Sequence, residues 1–183
     1  MARFPMQAID AGDRPWTTGG EKGLGMEPSQ TPVSETPHRK IAAQCFNACW
    51  GILDRSERTV ADVRELVLLA HTSLWHWTQV PDHTSENIAV GWWMVSRAQA
   101  MAGHGVAARD AALASAEASG TDCPFLAGYA HEALARAALL TGDRDIFSAA
   151  LASARRWCES IEKPDERSLL DADLLELESR AVV

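Results

Sequence analysis

The sequence has few cysteines and no long apolar run, and each shortage excludes a class of protein. Its four cysteines (Cys45, Cys49, Cys123 and Cys158) have neither the paired spacing of a zinc ribbon nor the density of a secreted disulfide framework. No stretch approaches the roughly 18 apolar residues of a membrane span, and the first residues lack the charged start and apolar stretch of a signal peptide. We therefore expect reduced thiols, a cytoplasmic location and no membrane partner.

Basic residues are also in short supply, with 17 Lys and Arg against 25 Asp and Glu, which gives a formal net charge of -8. A negative field repels phosphate backbones, so nucleic acid is not an expected partner. Catalytic motifs are missing as well: the sequence has no GxSxG nucleophile elbow, no glycine-rich phosphate loop and no HExxH pair. We therefore expect that the protein is not an enzyme, has no catalytic residue, and uses no cofactor or metal.

What is present is enough for one domain, since the chain has 183 residues of which 46% are hydrophobic. Residues 1–36 contain most of the prolines, several glycines and many Ser and Thr without apolar periodicity, and this predicts a disordered, flexible N-terminal arm. Residues 37–183 are rich in Ala, Leu, Arg and Glu, with no sustained alternation of apolar and polar residues. That pattern predicts an all-α domain.

Seven helices are predicted by apolar spacing and by start and stop signals. Thr59 and Asp62 indicate the start of the second helix, and Ser85 is the expected N-cap of the third. Gly142 follows an Ala/Leu run and is expected to end the fifth helix in a left-handed conformation. Apolar side chains on one face predict that the last helix caps a stack. The predicted ranges are about 38–54, 60–79, 86–102, 106–119, 125–141, 144–161 and 165–180.

An internal repeat links the middle helices. The hexapeptide AALASA occurs at 111–116 and again at 149–154, an offset of 38 residues. Upstream, Arg97 and Gly103 correspond to Arg136 and Gly142 at an offset of 39 residues, which predicts a one-residue gap in the tight turn. Helices three and four would then recur as helices five and six, as in helical solenoids.

The segment LARAALLTGDRDIFSAALASA, at 134–154, resembles a tetratricopeptide (TPR) unit, with a first helix ending at Gly142 and a second carrying Phe147 and Leu151. The segments 70–80, 91–105 and 129–143 are together similar to a group of short uncharacterised bacterial TPR-like proteins. The resemblance implies a right-handed array of about three helical hairpins plus a C-terminal capping helix. It implies no activity, and a non-catalytic module that binds a protein or peptide is the leading hypothesis.

In TPR-like arrays the first helix of each pair lines the concave side, so the repeat also predicts a binding stripe. Aromatic and charged residues at equivalent positions of the third and fifth helices favour a groove for an extended acidic segment. An alternative interpretation is that two of them form only an exposed i,i+4 ion pair, Glu132 with Arg136. The stripe consists of Trp93, Arg97, Tyr129, Glu132 and Arg136.

A competing hypothesis is a small-molecule or metal-binding helical-bundle protein that uses His71, His131 and Glu132. Packed histidines are the alternative interpretation, with His71 and Trp75 at the margin of a buried face, whereas His76 is expected to be solvated.

Seven tryptophans are many for this length. They either fill the core or leave Trp75 or Trp93 to line a groove, and exposed tryptophans would also suit a homodimer.

Overall fold

The computed structural model describes residues 36–181, and within this range the chain forms seven α-helices and no strand. The all-α prediction is confirmed for these residues. The predicted arm, residues 1–36, lies outside the described residues except for its last position. The helices are α1 (Thr36–Leu53), α2 (Val60–Thr78), α3 (Ser85–Met101), α4 (Gly105–Ser119), α5 (Pro124–Thr141), α6 (Arg144–Glu159) and α7 (Pro164–Ala181).

Reciprocal side-chain bonds fix the starts of α2 and α3. At α2 the Asp62 amide donates to the Thr59 hydroxyl oxygen over 3.2 Å, and the Asp62 carboxylate accepts from the Thr59 amide over 2.7 Å. At α3 the same pair of bonds joins Thr84 and Asn87. The predicted N-cap Ser85 is therefore wrong by one residue, because only Thr84 has a side-chain acceptor three positions later that returns the bond.

The helices pack as consecutive neighbours. α1 lies against α2, α3 against α4, and α5 against α6, while α2, α4 and α6 each also contact the helix that follows. α5 contacts α3 and α7 as well, so alternate helices meet. One apolar core runs through all of these layers, from Phe46 in α1 to Leu174 in α7. None of the helices in the described range is long and apolar enough to cross a bilayer.

In each of the first two helix pairs, a buried serine hydroxyl connects the two helices of the pair. Ser73 Oγ of α2 donates to the Ala42 carbonyl of α1, and Ser115 Oγ of α4 donates to the Ala89 carbonyl of α3, each over 2.8 Å. Each bond satisfies a hydroxyl that burial would otherwise leave without water, and the small side chains let the helix backbones approach. In the third pair, α5 has a glycine where α6 and α7 both approach it: a Cβ on Gly128 would lie 3.4 Å from Trp157 Cβ of α6 and 2.5 Å from Leu170 Cδ2 of α7.

The turn within the second helix pair recurs in the third pair. Gly103 lies in the first of these turns with φ of 78°, and Gly142 lies in the second with φ of 72°, so both adopt the left-handed conformation. The expectation for Gly142 is confirmed. The residues that precede α4 and α6, His104 and Asp143, are 39 positions apart, like the two glycines. The predicted one-residue gap in the turn is therefore absent.

Burial shows the same register beyond the turn. Ala111 and Ser115 of α4 are buried, and so are Ala150 and Ala154, which lie 39 residues further on. The matched hexapeptides are consequently one residue out of register, since they align buried Ala111 with exposed Ala149. Alanine suits either face of a helix, so a match between alanine-rich hexapeptides did not define the buried face.

Replacing Gly142 by alanine is expected to lower the free energy of unfolding by about 1 kcal/mol, because a Cβ is strained at positive φ. Gly51→Ala is the matched control. A Cβ at either position meets nothing within 4 Å, and Gly51 lies inside α1. There alanine should stabilise the helix by about 0.5–1 kcal/mol. Urea unfolding measures both values, and equal effects at the two positions would contradict the assignment of the turn.

Candidate functional site

The five residues of the predicted binding stripe lie together, but they are buried. The most exposed of them is Arg136, at 8%, and Glu132 is at 0%. They do not form the open groove that the sequence analysis expected, because α7 packs against α5 and brings Asp173 and Glu176 to their arginines. Acidic groups of the chain's own last helix thus lie where a bound acidic segment was expected.

Glu132 is the centre of this buried cluster. Its Oε1 accepts hydrogen bonds from Arg97 Nη1 over 3.1 Å and from Arg136 Nε and Nη2 over 2.8 and 2.5 Å. Burial acts to raise the pKa of Glu132, but the two guanidinium groups and a side-chain hydrogen bond from Trp93 outweigh it, so the pKa lies below the usual 4.5. The i,i+4 pair of Glu132 and Arg136 exists, but it is buried and not exposed.

Asp173 of α7 is the second carboxylate of the cluster. Its Oδ1 lies 3.7 Å from Arg97 Nη2, and its Oδ2 accepts from the Tyr129 hydroxyl over 3.2 Å. Burial raises the pKa of Asp173 above its usual value, with Arg97 opposing and Glu132 reinforcing the shift. Burial, together with the charges of Asp173 and Glu132, also raises the pKa of Tyr129, which therefore stays a neutral donor. The cluster joins α3, α5 and α7.

A pocket of about 410 Å³ lies above the cluster, and we call it the arginine pocket. It lies where the C-terminal ends of α3, α5 and α7 meet the connection between α1 and α2. Among the described residues no carboxylate lines it. Its lining consists of Arg58, Arg97, Arg136 and Arg180, with Ala100, Met101, Leu139 and Leu140 as the apolar part.

Two of these arginines belong to the predicted stripe and two do not. Arg58 donates from Nη1 to the carbonyls of Leu53, over 2.8 Å, and of Arg55, which caps the end of α1 and fixes the guanidinium at the pocket. Arg180 Nη2 lies 2.8 Å from Glu176 Oε1. Neither Arg58 nor Arg180 was predicted from the sequence, where the only signal for them is their position near helix C-termini.

The histidine hypothesis is not supported by the geometry. His71 is exposed on α2, with Nε2 3.1 Å from Gln99 Nε2, whereas His131 is half-buried in α5 near Arg156. Burial, and then the charge of Arg156, lower the pKa of His131. Glu132 is held by the arginines. Within residues 36–181, no group of three or more His, Cys, Asp or Glu side chains is arranged to hold a metal ion.

The two remaining aromatic expectations have opposite outcomes. Trp75 is 54% exposed, whereas Trp93 is 2% exposed and lies in the core. His76, expected to be solvated, is half-buried, with Nδ1 2.9 Å from His38 Nδ1 and its ring 4.8 Å from that of Trp75. Burial, and then the neighbouring His38, lower the pKa of His76. Trp75 is thus the only member of the predicted pair at the surface.

The cysteines offer no nucleophile in the arginine pocket or the buried cluster. All four are free, and Cys49 and Cys158 are buried. Burial is the main cause that raises the pKa of Cys49 to about 12, so its thiol is protonated at neutral pH. A protonated, buried thiol acts as a small apolar side chain.

Large apolar side chains form an exposed row on α2. Val60, Leu68 and Trp75 are 69%, 68% and 54% exposed, and spacings of eight and seven residues place them on one face. The buried face of α2 is centred on Leu66 and Ala70, and at about 100° per residue Val60 lies roughly 100° away from its centre. α4 presents a shorter pair, Val106 and Leu113.

No protein-family model, curated protein or solved structure matches the chain.

Glu132→Gln is expected to lower the free energy of unfolding by about 3 kcal/mol or more at pH 7, because it leaves two buried guanidinium groups without their shared carboxylate. The matched control is Glu166→Gln, which removes an exposed ion pair with Lys163 and should change stability by less than about 1 kcal/mol. Denaturant unfolding compares the two variants. Equal losses would mean that the buried cluster is not what holds α3, α5 and α7 together.

The same two proteins test the direction of the pKa shift of Glu132. A folded-state pKa below the usual 4.5 means that the stabilisation by the ionised carboxylate is fully present above that pH and is lost as the pH falls further. The stability difference between the wild type and Glu132→Gln should therefore shrink in acid. A difference that grows on acidification would contradict the assigned direction.

Proposed function

We propose that the protein is a non-catalytic helical-repeat module that binds a protein or peptide in the cytoplasm. The observation that carries this proposal is the exposed row on α2, where Trp75 is more than half exposed in line with Leu68 and Val60. When a partner covers apolar side chains that are exposed to water, the free energy of the system falls. Tryptophan adds a large contact area at a low cost in side-chain entropy.

We infer that the helices have a TPR-like arrangement, and the way they pack supports this inference. Each helix packs on its neighbour in the chain, and α5 also meets α3 and α7 in the next layers. The shared offset of 39 residues between the turns at Gly103 and Gly142 lies within the roughly 20–45 residues of stacked structural repeats, and it exceeds the roughly 34 residues of a usual TPR unit. In this arrangement α7 is the capping helix, since its buried Leu170, Leu174 and Leu177 close the end of the core.

The proposed contact surface differs from the one that the repeat predicted. Arg97 and Arg136 are held by Glu132 inside the fold, so an extended segment cannot lie along them without displacing α7. The row on α2 needs no rearrangement to be reached. Its apolar residues alternate with exposed polar ones, Arg64 and His71, which is the mixed character of a partner-binding surface.

Leu68→Ser combined with Trp75→Ser is expected to abolish the capture of a protein partner from the native cytoplasm while leaving the melting temperature within a few degrees of the wild type. Both side chains are exposed, so their loss leaves no cavity in the core. Leu175→Ser, at the 54%-exposed position of α7, is the matched control and should keep full capture. Affinity purification with mass spectrometry measures the loss.

Light scattering of the same three proteins separates a partner from a second copy of the chain. A wild type that is dimeric, with a monomeric double variant, assigns the row to a homodimer. Undiminished capture by the double variant would overturn the proposed surface.

A further inference from the structure

The proposed partner surface on α2 leaves the arginine pocket unused. Four positive side chains from four different parts of the fold converge on it, in a chain whose formal net charge is -8. We propose that the arginine pocket binds a small monocarboxylate that has a compact apolar body. This is a second binding activity, and it does not depend on the row on α2.

Local charge favours a ligand with one negative charge. Among residues 36–181, the carboxylates paired with the lining arginines are Glu132, Asp173 and Glu176, and none of them lines the pocket. Four guanidinium groups against three carboxylates leave one positive charge. A monocarboxylate neutralises it, whereas a phosphate dianion would leave excess negative charge in a partly buried site, which is unfavourable.

The arginines are held in position before any ligand arrives. Arg97 and Arg136 are fixed from behind by Glu132, and Arg58 is fixed by the carbonyl groups at the end of α1. A guanidinium group has five N–H donors, so bonds on one side leave donors for the other. Pre-positioned forks of this kind suit a carboxylate, because little side-chain entropy is lost on binding.

The rest of the lining favours an apolar body. Ala100 and Met101, at the end of α3, and Leu139 and Leu140, at the end of α5, line the same pocket as the arginines. A volume of about 410 Å³ is within the range of small-molecule sites. Such a site fits a short branched or aromatic side chain attached to the carboxylate, and it does not match the hydroxyl groups of a sugar.

The test is calorimetric titration of the full chain with 3-phenylpropanoate. We expect saturable binding, and we expect 3-phenylpropanamide and inorganic phosphate to bind at least tenfold more weakly. The amide keeps the shape and loses the charge, so equal binding of acid and amide would overturn recognition by the arginines. Tighter binding of phosphate would overturn the monocarboxylate assignment. No heat of binding up to ~10 mM acid would overturn the site itself.

Variants place the ligand in the pocket. Arg180→Gln, at an exposed position, and Arg58→Gln should each weaken binding of 3-phenylpropanoate at least tenfold, whereas Arg109→Gln on α4, away from the pocket, should leave it unchanged. Ala100→Leu fills the apolar side without altering charge and should weaken binding similarly. Melting curves confirm that each variant is folded. Unchanged affinity in both Arg180→Gln and Ala100→Leu would overturn the proposal, whatever becomes of partner capture through α2.

Discussion

The rest of the structure depends on how a fully buried carboxylate is kept charged. Glu132 has no exposed surface, and it is tolerated because guanidinium groups from two helices share one of its oxygens. That requirement places Arg97 of α3 and Arg136 of α5, whose positions are 39 residues apart, at the same carboxylate. Two guanidinium groups share the single negative charge of Glu132, and Asp173 and Glu176 of α7 provide further carboxylates beside them.

α7 therefore has two roles in one helix. Its leucines close the apolar core, and its acids complete the buried cluster. Together these contacts occupy the surface that an external acidic segment would need. The acidic groups of α7 thus contact the arginines of the stripe as an acidic ligand would. The side of Arg97 and Arg136 that lines the pocket remains accessible.

Two surfaces of opposite character result. The row on α2 is apolar and exposed, which suits a macromolecular partner, whereas the arginine pocket is small and positive in an acidic chain, which suits a small anion. They involve different helices, and within residues 36–181 no side-chain hydrogen bond or ion pair joins the row to the pocket lining. Binding at either place is accordingly open to separate measurement.

The sequence by itself determined the helices, the capping box of α2 and the turn glycines, because capping boxes and the left-handed preference of glycine are local. The N-cap of α3 was predicted one residue too late, at Ser85 instead of Thr84. The sequence also predicted that the five stripe residues lie together, and they do, since α3 and α5 are in contact and their equivalent positions meet. Only the tertiary structure decided that the stripe is buried, because that depends on how α7 packs on α5. The register between alanine-rich repeats was likewise decided by packing, since Ala111 and Ala149 are chemically alike but only the first is buried. Arg58 and Arg180 join the pocket through long-range contacts, which no local pattern records.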